Sequence, residues 1–193
     1  MKDAPLSHPP VFYDIETSSL DGVPIEIGWA FANPDTGTIQ VEAHLIRPGD
    51  DWPIGEKWDE TAAQLHGISL PELHAEGRSP EDILRRMNEG LGGRELYSDA
   101  PAWDDNWLRM IVAAAGAKLN FSVSQMEAHT LIGIVARAQG WEPEPCLAVM
   151  DEISRDYPRT HRAAADAHHL AALWLAMRQG PNSGKQRPEH VRI

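Results

Sequence analysis

The chain has 193 residues, of which 42% are hydrophobic, and 29 acidic against 17 basic side chains give it a net charge of −12. This length and composition predict one folded domain with a sizeable core, and no stretch approaches the ~20 apolar residues of a membrane helix. The acidic balance argues against a broad basic surface for long nucleic acids, but it permits a site that binds a few nucleotides through metal ions.

The N-terminal part of the chain predicts three strands joined by short turns. Residues 1–9 are predicted to form a flexible leader, which lacks the apolar segment of a secretory signal. A first strand is predicted over residues 10–16, a second from Ile25 and a third from Thr38. The intervening turn residues indicate an antiparallel meander.

Helices are predicted to dominate the rest of the chain. A helix that breaks near Gly67 and one capped by Ser69 come first, followed by helices from Ser79, from Pro101, and over residues 127–139, 146–156 and about 162–178. RELYSD and LNFSV are predicted short strands between them. The order predicts an α/β domain over residues 10–179, with a mixed five-stranded sheet whose first three strands are antiparallel, flanked by helices. Residues 180–193 are predicted to be a disordered tail.

Two acids, Asp14 and Glu16, end the first strand in the sequence VFYDIET. Residues two apart in a strand point to the same face, so both carboxylates are expected to project together beside apolar neighbours. Anions held this close in a poorly solvated place are costly to keep charged, and no Lys or Arg lies nearby in sequence. A bound Mg²⁺ or Mn²⁺ would offset the repulsion, whereas a turn cap beside a solvated acid is the alternative.

Two later segments carry further candidate groups. In YSDAPAWDDNWL, the acids Asp99, Asp104 and Asp105 lie where a strand passes into a helix, a place where acids also stabilise a helix start. In HRAAADAHH, His161 precedes Asp166 by five residues, so we expect His161 at the junction of loop and helix, above the face that carries Asp166. His168 and His169 are expected to be solvated helix side chains.

Together these segments resemble the DEDD family of 3′–5′ exonucleases, in the branch with a histidine (DEDDh). This branch includes proofreading subunits, RNase T and oligoribonuclease, on a ribonuclease H-like fold. The resemblance rests on segments that occur in the family's order: VFYDIETSSLDG, IEIGWAF, QLHGIS, WDDNWL and HRAAADA. The sequence departs from the family at Ser19, where a Gly is common, and at residues 99–103, which lack the usual His-Asn pair.

The resemblance implies a set of site residues and a mechanism. Its four metal-binding carboxylates correspond to Asp14, Glu16, Asp104 and Asp166, which would hold two divalent cations, Mg²⁺ or Mn²⁺, and its general base corresponds to His161. Asp104 is chosen because apolar residues surround it as in the family; Asp99 is second choice and Asp105 remains open. Substrate contacts are expected from Ile15, Thr17, His66 and Trp103, although His66 is more simply a residue that shapes a helix break and Trp103 a core residue.

The expected function is therefore metal-dependent removal of nucleotides from the 3′ end of single-stranded RNA or DNA, with short strands favoured by the acidic surface. Two alternatives remain: a catalytically silent relative that binds nucleic acid or protein, and a metal phosphoesterase acting on small nucleotides. No membrane partner is expected, and a homodimer or a polymerase-like partner stays open. The single cysteine, Cys146, fits a reducing cytoplasm.

Overall fold

The computed structural model describes residues 8–181 and 189–192. Its strands are β1 (Val11–Thr17), β2 (Pro24–Ala32), β3 (Thr38–Leu45), β4 (Glu95–Tyr97), β5 (Ser122–Val123) and β6 (Glu189–Arg192). They form one sheet in the order β5-β4-β1-β2-β3-β6. β1, β2 and β3 pair antiparallel, whereas β4, β5 and β6 each pair parallel to their neighbours, so the predicted mixed sheet with three antiparallel strands is confirmed.

Strand β6 was not predicted, because residues 180–193 were assigned to a disordered tail. The structure instead pairs Glu189–Arg192 with Thr38–Val41 of β3, which extends the five predicted strands to six. The physical reason is that β3 would otherwise end the sheet with unpaired backbone N–H and C=O groups, which any short extended segment can satisfy. The predicted flexible leader lies mostly outside the described residues.

Seven helices cover the sheet in the described part of the chain: α1 (Glu60–His66), α2 (Leu70–Glu76), α3 (Pro80–Leu91), α4 (Pro101–Ala115), α5 (Ala128–Ala138), α6 (Pro143–Asp156) and α7 (Ala163–Gln179). The predicted start signals hold for three of them, since Ser69 and Ser79 accept hydrogen bonds from the first turns of α2 and α3 and Pro101 is the first residue of α4. Within residues 8–181 and 189–192, no helix is both long and apolar enough to cross a membrane.

The core lies on both faces of the sheet. On one face, α5 and α7 pack on Phe12, Ala30 and Ile39, and α6 packs behind them. On the other face, α3 and α4 pack on the side chains of β1 and β2 that point the opposite way, such as Tyr13 and Ile27. This alternation follows from the two-residue period of a strand.

Helix α7 approaches β2 closely because position 28 is a glycine. A Cβ atom added at Gly28 would lie 2.4 Å from the backbone carbon of Ala163, which is far inside van der Waals contact. The close crossing brings the first turn of α7 down onto the sheet beside the end of β1. Gly28 of the IEIGWAF segment therefore sets the position of the residues that begin α7.

Candidate active site

Asp14 and Glu16 lie in the C-terminal half of strand β1, and their side chains point to the same face of the sheet. Asp14 lies opposite Gly28 of β2, and Glu16 lies opposite Glu26. Asp14 is buried and Glu16 is half-buried. The predicted convergence of these two carboxylates on one face is thus what the strand geometry produces.

Asp99 and Asp104 reach the same place from the neighbouring strand. Because β4 runs parallel to β1, the chain that leaves β4 and enters α4 starts at the edge of the sheet where β1 ends. Asp104 lies on the buried stripe of α4 with Trp107, Leu108 and Ile111, and only 3% of it is exposed. Asp105, the next residue, points away and pairs with Arg109 at 2.9 Å.

Asp166 and His161 come from the start of helix α7. Asp166 is buried on the helix face that packs against the sheet, and only 2% of it is exposed. His161 is exposed and precedes the helix. Its backbone φ is 54°, and among the described non-glycine residues only His161 has a positive φ. A non-glycine residue in this left-handed region costs roughly 1–3 kcal/mol, so neighbouring contacts must hold it there.

These side chains form two adjacent groups of possible ligands. In the first, which we call the histidine cluster, ligand atoms of Glu16, His161 and Asp166 all lie within 4.8 Å of one another. In the second, the aspartate cluster, the same holds for Asp14, Asp99 and Asp104. The structure thus places Asp104, the predicted metal ligand, beside Asp14. It adds Asp99, the second choice for that role, to the same cluster.

Three carboxyl groups of the two clusters, those of Asp14, Glu16 and Asp104, have raised pKa values. Burial, followed by repulsion from Asp104 and Glu16, raises the pKa of Asp14 well above its usual range. Burial and then the Asp166 carboxylate raise the pKa of Glu16 to about 7. Burial raises the pKa of Asp104 to about 7, although a hydrogen bond with the Ser98 side chain opposes the change.

The donor set fits a pair of hard divalent cations. Carboxylate oxygens dominate both clusters, and Mg²⁺ and Mn²⁺ prefer oxygen ligands. Burial first, and then repulsion between neighbouring carboxylates, makes Asp14 and Glu16 costly to ionise, and a bound cation would offset both costs. The histidine cluster could hold one ion and the aspartate cluster another.

Glu26, which is buried, and Arg162, which is partly exposed, form an ion pair that sequence reasoning missed. The Arg162 guanidinium donates to Glu26 at 2.6–3.2 Å, and the backbone N–H of Ala163 donates to the same carboxylate at 2.9 Å. This fixes the start of α7 to β2 immediately after His161. The partners are 136 residues apart, so no local pattern indicates the pair.

Arg159 was also missed, although it lies only two residues before His161. Its guanidinium Nε donates to Asp166 at 3.2 Å, and its Nη1 donates to Asp99 at 2.5 Å. One arginine therefore contacts both clusters. The feature of the sequence that could have indicated this contact is the presence of a basic residue in the loop that carries His161.

The four predicted substrate-contact residues occupy different environments. The Ile15 side chain is buried in the core, so only its backbone borders the site, and the Thr17 hydroxyl donates to the Ser19 carbonyl at 2.8 Å. His66 is buried at the end of α1, where its Nδ1 accepts from the Ile68 N–H at 3.0 Å and Gly67 follows in the left-handed region. Trp103 is 51% exposed and stacks on Trp107 with ring centroids 5.8 Å apart, so it is not a core residue.

The expectation that His168 and His169 are solvated is wrong. Both are 5% exposed, because α7 is covered by the sheet on one side and by the segment after α6 on the other. His169 Nδ1 lies 2.8 Å from the Tyr157 carbonyl oxygen, and the His168 ring packs edge-on against the Tyr157 ring. These histidines hold the loop that carries Arg159 and His161 rather than adding to either cluster.

Solved exonucleases share this fold. The zinc-bound complex of Escherichia coli exonuclease I with single-stranded DNA has 17% sequence identity and a TM-score of 0.61, and the alignment covers 90% of this chain but 41% of that one. Exonuclease X in complex with 5′-overhanging duplex DNA has 20% identity and a TM-score of 0.55, with 87% of this chain and 90% of that chain covered. No protein-family model and no curated protein matches this chain. The resemblance predicted from the motifs is confirmed at the level of the fold, and the chain spans less than half the length of exonuclease I.

Proposed function

We propose that this chain is a metal-dependent 3′–5′ exonuclease that hydrolyses phosphodiester bonds at the 3′ end of single-stranded nucleic acid. The observation that carries the proposal is the convergence of two carboxylate-rich clusters, drawn from β1, the start of α4 and the start of α7. The fold shared with exonucleases I and X, both of which have been solved with DNA, adds support. The 3′–5′ polarity rests on the motif resemblance.

In this proposal the carboxylates hold two divalent cations, Mg²⁺ or Mn²⁺. Glu16 and Asp166 would bind one in the histidine cluster, and Asp14 and Asp104 the other, with Asp99 as an additional ligand. Bound divalent cations stabilise charge on the transferred phosphoryl group and make an attacking water more acidic. The Asp14 and Asp104 side chains are buried, so bulk water has little access to these two carboxylates.

His161 is proposed to take the proton from the attacking water. It is exposed at the mouth of the site, and its imidazole lies beside Glu16 and Asp166, where a proton can pass to solvent. The Glu26–Arg162 connection keeps the adjoining backbone in place. Trp103, exposed beside Asp104, offers a flat apolar face on which a terminal base could stack.

The surface charge favours short substrates. The protein has a net charge of −12. Without the four carboxylates of the proposed ligands Asp14, Glu16, Asp104 and Asp166, the rest of the protein has a net charge of −8. An acidic surface gives little counterion release, so long strands are held weakly.

The single half-buried cysteine supports a reducing, cytoplasmic location.

A graded series of 5′-labelled DNA and RNA oligonucleotides tests the proposal. With Mg²⁺ or Mn²⁺ we expect products that shorten stepwise while they keep the label, and a chelator should abolish them. Asp14→Asn and Asp166→Asn should remove nearly all activity, whereas Asp105→Asn, outside both clusters, should retain it. Immediate release of the 5′ label would contradict the polarity.

The same assay separates the alternatives. The contact of Arg159 with both clusters favours a silent nucleic-acid-binding relative, in which the guanidinium permanently takes the place of a metal ion. That function predicts oligonucleotide binding without cleavage at any metal concentration. Faster turnover of mononucleotide esters than of oligomers would instead indicate a small-nucleotide phosphoesterase.

A further inference from the structure

Arg159 is the cationic side chain that joins the two clusters. It donates to Asp166 of the histidine cluster at 3.2 Å and to Asp99 of the aspartate cluster at 2.5 Å. Arginine suits this place because its guanidinium presents several donors in a fixed plane and can contact two carboxylates at once. The side chain is 40% exposed, so it has room to leave the site toward water.

A divalent cation and Arg159 compete for the same carboxylate. One oxygen of Asp166 accepts the Thr160 N–H at 2.9 Å, and the other accepts the Arg159 Nε. A cation that binds Asp166 must therefore share an oxygen with one of these donors. Because Arg159 and a divalent cation would draw on the same Asp166 oxygens and carry like charge, each weakens the binding of the other.

We infer that Arg159 is a positioning residue that holds the two clusters together when no divalent cation is bound and that cation loading displaces it. This inference rests on the proposed metal-dependent function. Its consequence is that Arg159 stabilises the metal-free protein and thereby weakens metal affinity, so the free concentration of metal needed for loading is set partly by this side chain.

Two measurements on Arg159→Gln test the inference. The first is thermal unfolding in excess chelator at pH 8, where loss of the guanidinium leaves the carboxylates uncompensated and should lower the melting temperature. The second is calorimetric titration with Mn²⁺ in the absence of nucleic acid, where removal of the competitor should tighten binding by about tenfold. A purely structural role for Arg159 would weaken Mn²⁺ binding instead.

Arg109→Gln is the matched control. Arg109 also pairs with an aspartate, Asp105 at 2.9 Å, but outside both clusters and with 74% of its side chain exposed. It should change neither measurement. If Arg159→Gln does not fold, Arg159→Lys replaces it; one ammonium cannot reach both carboxylates as the planar guanidinium does, so this variant should also bind Mn²⁺ more tightly than wild type.

The outcomes separate this inference from the proposed function. Unchanged or weaker Mn²⁺ binding by the variant, with normal binding by the wild type, overturns the role of Arg159 alone. Absence of Mn²⁺ binding by both proteins overturns the metal-dependent function and the inference with it. Binding by the variant but not by the wild type supports the inference and identifies Arg159 as the group that keeps the native protein silent.

Discussion

Replacing Asp104 by asparagine should stabilise the protein in the absence of divalent cations. Asp104 is 3% exposed, and burial raises its pKa from 3.8 to about 7. When the pKa of a carboxyl group is higher in the folded than in the unfolded state, its contribution to the free energy of unfolding is fully present below the unfolded pKa. That contribution is lost as the pH rises through the folded pKa. The neutral amide of Asp104→Asn avoids this loss and keeps an oxygen that can accept a hydrogen bond.

The size of the gain follows from the pKa. At 1.36 kcal/mol for each tenfold change in proton affinity, this carboxyl group costs the folded protein about 4 kcal/mol at pH 8, where it ionises, and roughly 2 kcal/mol at pH 5, where folding requires it to take up a proton that the unfolded chain lacks. We therefore expect Asp104→Asn to raise the free energy of unfolding by about 1–4 kcal/mol at pH 8, with a smaller gain at pH 5. Each kcal/mol corresponds to roughly 2–4 °C in Tm for a chain of this size.

Urea unfolding in excess chelator at pH 5 and pH 8 measures the effect. Asp105→Asn is the control, because Asp105 lies on the same helical turn but pairs with the exposed Arg109, and its loss should change stability by less than about 1 kcal/mol at either pH. If Asp104→Asn is no more stable than the wild type at pH 8, or if its advantage does not grow with pH, the account of charge repulsion in the aspartate cluster is refuted.

Substitutions at three further positions test other parts of the site. Glu26→Gln should lower the free energy of unfolding by about 1–3 kcal/mol and reduce kcat more than Mn²⁺ affinity, since it loosens Arg162 beside the loop that carries His161. Equal loss of kcat and of Mn²⁺ affinity would contradict a positioning role. His161→Ala should slow oligonucleotide cleavage by about 10²–10⁴-fold while Mn²⁺ still binds, and a wild-type rate across pH 6–9 would disprove the general base. Trp103→Ala should raise KM by the loss of about 1–3 kcal/mol of stacking, whereas Trp103→Phe should retain most affinity; identical KM values would exclude stacking.

The parts of the fold and site that could be predicted are those with local rules. The two-residue period of β1 placed Asp14 and Glu16 on one face. The cap residues Ser69 and Ser79 marked helix starts correctly. Each of these follows from backbone geometry within a few residues, which a single sequence displays.

The parts that could not be predicted depend on contacts between distant segments. Nothing near Glu26 indicates that its partner is Arg162, and the pairing of β6 with β3 depends on an edge that only the assembled sheet creates. The burial of His168 and His169 likewise follows from how α7 is covered. Arg159 is intermediate, because its nearness to His161 is visible in the sequence but its contact with Asp99, 60 residues earlier, is not.

The central claim is that acids from three parts of the chain form one centre that binds divalent cations. Anomalous diffraction from crystals grown with Mn²⁺ measures this most directly. We predict two Mn²⁺ peaks about 3.5–4 Å apart, one contacting Glu16 and Asp166 and the other contacting Asp14 and Asp104. Crystals in saturating Mn²⁺ with no peak at these carboxylates, and with Arg159 still bound to Asp99 and Asp166, would contradict it.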